Sequence, residues 1–125
     1  MQKTRIVLDP AYTIAPVDPR IFGGFLEHLG RGIYEGVYHP QASSADENGL
    51  RKDVLGALGR LNLTAMRYPG GNFASGYHWM DGIGPKDQRP TVRELAWQSI
   101  EPNQFGTDEF ILLSQRMGWI PMLTV

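Results

Sequence analysis

The sequence predicts an α/β fold: the front part of a (β/α)8 barrel, with about three of its strands and two of its helices. Three observations predict it. Strand-like and helix-like apolar segments alternate as β-loop-α-β-loop-α-β, the order of a parallel sheet wound with covering helices. Both long connections follow a strand and both returns from helix to strand are tight, as in a barrel whose ligand loops leave the carboxyl ends of its strands. The chain has 125 residues whereas a complete barrel needs about 250, so it is expected to be the front of a longer protein. A doubly wound open sheet places its loops similarly, but the first β-α connection lacks the G-x-G-x-x-G phosphate fingerprint.

Residues 4–8 form a first candidate strand, closed by Asp9-Pro10. The run Ile21-Phe22-Gly23-Gly24-Phe25-Leu26 is the next, ending on Glu27-His28. Gly30, Gly32, Gly36 and Pro40 then mark a long connection. Ser43-Ser44-Ala45-Asp46-Glu47-Asn48 supplies helix-start chemistry. Leu50, Val54, Leu55, Leu58 and Leu61 recur at helical spacing; Gly56 and Gly59 each weaken an exposed helix by about 1 kcal/mol. Leu63-Thr64-Ala65-Met66-Arg67-Tyr68 is a strand stopped by Pro69-Gly70-Gly71. A loop of more than roughly thirty residues follows, far beyond ordinary connections. Thr107 or Asp108 is expected to cap a second helix bearing Phe110, Leu113 and Met117, with Gly118 as its stop. The stretch from Trp119 to Val125 reads as a final strand.

Composition narrows the chemistry. A formal charge of −1 lacks the basic footprint of a nucleic-acid binder. With 42% hydrophobic and 20% charged residues the chain is not intrinsically disordered. No cysteine is present, which removes disulfides, thiol catalysis and cysteine-held metals. His28, His39 and His78 show no H-x3-H spacing, so no metal is expected. No secretory leader or membrane span is visible, and a cytoplasmic location without membrane partners is the expectation. Glycine and proline number 15 and 9, an excess over the average of about 12% that marks a loop-rich chain.

Glu27 ends a strand, where a carboxylate points into the mouth of the sheet and is tuned by desolvation or a cation. It reads either as a ligand-binding acid or as a structural acid paired with Arg31 or Arg67. Arg67 ends the next strand between apolar neighbours and is expected to meet a carboxylate, with Glu27 the nearest candidate. Pro69-Gly70-Gly71 brings main chain close to a neighbour, and Asn72 offers both a donor and acceptors. The turn reads either as plain backbone or as a shelf for ligand hydroxyls or phosphate. Tyr77, His78, Trp79, Trp97 and Gln98 make the long loop aromatic and amide-rich. Such faces suit sugar rings, or simply pin the loop down. No G-x-S-x-G elbow is present, which sets a serine hydrolase aside.

Five ordered segments resemble the α-L-arabinofuranosidases of glycoside hydrolase family 51. They run from Phe22 to Arg31, from Arg67 to Phe73, from Tyr77 to Pro85, from Leu95 to Trp97 and from Asn103 to Phe110. The resemblance implies a retaining exo-glycosidase acting on arabinofuranosyl-containing oligosaccharides of arabinan or arabinoxylan, without cofactor or metal. It implies a β-sandwich that takes its first strand from residues 1–17, with residues 18–125 forming the first part of the barrel. It also implies that Glu27 and Asn72 touch the sugar in the −1 subsite, beside Gly71 of the same Pro-Gly-Gly-Asn motif. Arg67 would orient the catalytic carboxylates and Trp97 would line the cleft. Retention needs two carboxyl groups about 5–5.5 Å apart; in the family these follow the fourth and seventh strands, the former within an Asn-Glu pair. This sequence has no Asn-Glu dipeptide. Neither catalytic glutamate is therefore expected here, and the isolated chain is expected to be inactive. The remainder of the barrel and sandwich are its expected partners, and the family resemblance implies a hexamer. The alternative is a non-catalytic sugar-binding or assembly fragment of a split barrel.

Overall fold

The computed structural model describes residues 2–125. Among them the strands are β1 (Gly24–Phe25), β2 (Ala65–Tyr68), β3 (Val92–Arg93), β4 (Ile100–Glu101) and β5 (Ile120–Leu123). The α-helices are α1 (Lys52–Gly59) and α2 (Thr107–Met117). A parallel sheet runs in the order β1-β2-β5, with Gly24 opposite Met66 and Tyr68 opposite Leu123. The expected α/β class is thus present as a parallel sheet with two helices.

Hydrogen bonding carries the β1–β2 pairing past the short strand. Leu26 N–H donates to Arg67 O at 2.8 Å and His28 N–H to Pro69 O at 3.0 Å. The carboxyl ends of β1 and β2 are therefore held side by side. Burial of Met66 and Tyr68 on β2 with Phe110 and Leu113 on α2 builds the core, which continues through Ile33, Leu50, Phe105 and Trp119. Tyr68 and Phe110 stack with centroids 4.6 Å apart.

Several boundaries depart from the sequence reading. Residues 4–8 form no ladder, and Ile6 and Leu8 stand exposed. A strand exists only with a partner to satisfy its backbone, and none is present among the described residues. The second strand shortens because Asp18 accepts the Arg20 N–H at 2.9 Å and Pro19–Phe22 winds into a 3-10 turn. The acidic stretch before α1 is a turn in which Asp46 Oδ1 accepts the N–H groups of Asn48 and Leu50. The cap used locally there leaves α1 to begin at Lys52 without a side-chain cap.

Helix α2 is capped by Gly106, one residue before the expected position; Glu109 accepts its N–H at 2.8 Å. Gly118, at φ 70°, ends the helix as expected. The long loop is not structureless. It holds 3-10 turns at Phe73–Gly76, Trp79–Gly82 and Lys86–Gln88, then an antiparallel β3–β4 hairpin.

Candidate functional site

The site lies at the carboxyl ends of β1 and β2. After β1, Glu27 leans onto the turn that follows β2. Its Oε1 accepts the N–H of Gly71 at 3.0 Å and of Phe73 at 3.3 Å. Gly70 adopts φ 145° with no room for a side chain, because a Cβ there would lie 2.7 Å from Glu27 Oε1. The glycine lets the main chain come close to the acid. Among the described residues Glu27 Oε2 accepts no hydrogen bond from the protein, so it can take a donor from outside.

Arg67 does not pair with Glu27, contrary to expectation. Its guanidinium lies 4.8 Å from the centroid of the Phe25 ring. Nε donates to Thr124 Oγ1 at 3.0 Å and Nη2 to Gly70 O at 3.4 Å. Stacking and neutral acceptors satisfy the planar cation, while backbone amides occupy the carboxylate. Arg31 pairs with Glu35 at 2.9 Å, so neither arginine serves Glu27. Arg67 thereby bridges the ends of β1, β2 and β5.

Asn72 stands exposed at the start of the Phe73–Gly76 turn and makes no side-chain cap bond. It lies between Gly71 and Phe73, whose N–H groups both bond Glu27. Trp97 sits at the tip of the β3–β4 hairpin, 38% exposed. It lines a cleft with His28, Tyr34, Ser99 and Glu101. The structure thus gathers Glu27, Arg67, Gly71 and Asn72 at the neighbouring carboxyl ends of β1 and β2. No hydrogen bond joins Trp97 to these four.

Glu94 shapes the hairpin tip by accepting N–H bonds from Ala96, Trp97 and Ser99 at 2.8, 2.7 and 3.0 Å. Burial pushes its pKa upward, but these bonds outweigh it and hold the carboxyl below the ordinary glutamate value.

Sequence reasoning missed a polar cluster beneath the site. His28 is enclosed, with Nδ1 2.9 Å from Glu101 Oε2 and Nε2 2.8 Å from the Tyr68 hydroxyl. Tyr34 donates its hydroxyl to Glu101. Burial and then the Glu101 carboxylate push the Tyr34 phenol far above its usual pKa, so it remains a proton donor. The Tyr68 phenol is raised first by burial. No motif spacing links positions so far apart in the chain; a histidine directly after the site glutamate was the available signal.

The arrangement is a shelf of backbone, amide and carboxylate bordered by aromatic rings, suited to a neutral, hydroxyl-rich ligand. Among the described residues no cluster of three or more His, Asp or Glu could hold a metal. No helix among them is long and apolar enough to cross a membrane.

A parallel sheet with its polar shelf at the carboxyl ends of the strands defines a β/α ligand-binding architecture. The family model described as the alpha-L-arabinofuranosidase 1 domain matches residues 57–125. An intracellular exo-alpha-(1->5)-L-arabinofuranosidase of Acetivibrio thermocellus is 54% identical over all of this chain, which covers 25% of that protein. The solved GH51 alpha-L-arabinofuranosidase of Thermotoga petrophila superposes with a TM-score of 0.86 at 52% identity, over 91% of this chain and 24% of that one. The arabinose complex of the Thermotoga maritima alpha-L-arabinofuranosidase gives 0.79 at 55% identity, over 81% and 21%. The chain belongs to the α-L-arabinofuranosidase family of glycoside hydrolases. It spans about a quarter of the length of the relatives it matches.

Proposed function

We propose that the chain supplies one wall of the −1 subsite of a retaining, exo-acting α-L-arabinofuranosidase. In this reading residues 18–125 are the first part of a (β/α)8 barrel and residues 1–17 lend a strand to a β-sandwich. The observation that carries the proposal is the Glu27 clamp: one carboxylate oxygen is fixed by Gly71 and Phe73, the residues on either side of Asn72, while the other accepts no hydrogen bond from the described residues. A fixed acceptor next to an exposed amide binds vicinal hydroxyls without reorganising. Glu27, Gly71 and Asn72 hold the terminal arabinofuranosyl ring, Arg67 orients the catalytic carboxylates, and Trp97 lines the cleft.

The acid/base and nucleophile glutamates come from outside this chain, from the remainder of barrel and sandwich. The protein works inside the cell on arabinan or arabinoxylan oligosaccharides, needs no cofactor or metal, and assembles as a hexamer. By itself the chain releases no p-nitrophenol from p-nitrophenyl α-L-arabinofuranoside; turnover by the chain alone contradicts this division of labour. Calorimetry with arabinose tests the subsite: Glu27→Ala abolishes whatever heat the parent gives.

A second reading is an assembly or sugar-binding fragment that docks on its complement. Phe25 on β1 and Ile120 and Met122 on β5 stand about half exposed, at 50%, 47% and 50%, which favours docking. Size exclusion distinguishes a compact monomer from a self-associating chain.

A further inference from the structure

Glu27 and His28 are neighbours in the chain, with His28 at a tight bend closed by the Leu29 N–H on Glu27 O at 2.8 Å, and their side chains meet different partners. Glu27 turns to the loop that presents Asn72. His28 turns inward, and both it and Glu101 are nearly enclosed, with side chains 3% and 4% exposed. Its ring also stacks on Phe73, with centroids 4.4 Å apart and planes 11° from parallel. Phe73 is therefore held twice, by its N–H on Glu27 and by its ring on His28.

The far side of the pair belongs to another element. Glu101 ends β4, and its Oε1 accepts the Asn103 N–H at 2.7 Å together with the Tyr34 hydroxyl. The same hairpin carries Trp97 on a tip shaped by Glu94. The hairpin is thus a hydrogen-bonded unit whose buried anchor is Glu101. Trp97, His28 and Glu101 line one cleft.

A buried imidazole–carboxylate pair is a poor route to stability, because apolar residues of similar volume fill such space at lower desolvation cost. Its distinctive property is positional, since the two enclosed groups hold two separate elements in contact. With Nε2 bonded to the Tyr68 hydroxyl and the ring stacked on Phe73, the imidazole has one orientation, and its Nδ1 edge rests 2.9 Å from Glu101 Oε2 as a close ion-pair contact that sets the hairpin against the end of β1.

We propose that the His28–Glu101 pair positions Trp97 relative to Glu27 and so fixes the separation of two walls of the sugar pocket. This rests on the functional reading above in that Trp97 and Glu27 are taken to line the pocket. His28 and Glu101 touch no substrate; they are positioning residues acting through Phe73 and the hairpin.

The test places this chain in the Acetivibrio thermocellus relative in exchange for the aligned quarter, with p-nitrophenyl α-L-arabinofuranoside as probe. Glu101→Ala raises KM by about tenfold or more when Trp97 is present, and by less than about twofold in a Trp97→Ala background. Glu101→Gln, which keeps the shape of the side chain against the imidazole and still accepts the Asn103 N–H, stays within about threefold of the parent. Equal losses in both backgrounds, or an unchanged KM in folded Glu101→Ala, overturn the proposal. If Glu101→Ala does not fold, His28→Asn enters the same cycle, since its short amide cannot span from Glu101 to Tyr68. An inactive unsubstituted chimera counts against the functional reading alone. The positioning role is then decided on the 125-residue chain by NMR: the Trp97 indole N–H shifts in Glu101→Ala and not in Glu101→Gln. An unmoved resonance in Glu101→Ala overturns it.

Discussion

Glu27 fills the space that a side chain on Gly70 would need: a Cβ on Gly70 would overlap Glu27 Cγ and lie 2.8 Å from its Cδ. The acid and the turn are therefore one structural unit. Gly70→Ala adds both this overlap and the strain of φ 145°, which L side chains rarely adopt. The expected loss is about 2–4 kcal/mol, since overpacking and backbone strain each contribute about 1–3. Urea unfolding measures it, and a loss below about 0.5 kcal/mol would mean that the turn adapts freely.

Arg67 gives a second prediction. Its guanidinium rests on Phe25 while donating to Thr124 and Gly70. Arg67→Lys keeps the charge but loses the planar stacking and the Nε donor. A cost of about 1 kcal/mol is expected from the thermal midpoint. Phe25→Leu removes the same ring, so the double variant costs less than the sum of the single ones.

Arg89 is the most consequential ion pair. Its side chain is 2% exposed, bonded to Glu109 at 2.7 Å and to the carbonyls of Asn103 and Gly84 at 3.0 and 2.7 Å. It ties the long loop to the first turn of α2. Arg89→Ala leaves the largely buried Glu109 carboxylate with only the more exposed Lys86, 3.5 Å away, as its cation, at a cost of about 3 kcal/mol. Circular dichroism at room temperature should detect a substantially unfolded population, and native-like melting would contradict the assignment.

Acid sensitivity follows from two carboxyls. For Glu109, burial works upward, yet the Arg89 hydrogen bonds and then the Gly106 N–H hold its pKa below the usual value. Glu94 is lowered in the same sense, against its burial, by Ser99 and Trp97. Both bind protons less readily folded than unfolded, so their contribution is fully present above the unfolded value of about 4.3. It is lost as pH falls through that value toward the lower folded ones. The urea midpoint should stay level from about pH 7 to 5 and fall below about 4.5. Glu94→Gln should flatten part of that fall, and a midpoint that rises on acidification would refute the linkage.

Helix α1 offers a stabilising change. Gly56 lies within Lys52–Gly59 with nothing within 4 Å of an added Cβ. Gly56→Ala should raise stability by about 0.5–1 kcal/mol by helix propensity. An unchanged melting temperature would show that the helix end is already frayed.

Local chemistry is legible in the residue pattern alone. The apolar periods located β2, α2 and β5, and Gly118 located the end of α2, because burial and φ preference act on neighbouring residues. The motifs from Phe22 to Arg31 and from Arg67 to Phe73 carry the likeness to the family in the chain itself and contain Glu27, Gly71 and Asn72. Partners, by contrast, are set by the packing of distant segments. It replaced the expected Glu27–Arg67 pair with backbone amides on one side and a ring on the other. It left residues 4–8 without a ladder, and it joined His28 to Glu101 across most of the chain. Hydrogen bonds between distant segments depend on where the sheet and hairpin bring them, and no spacing along one strand carries that information.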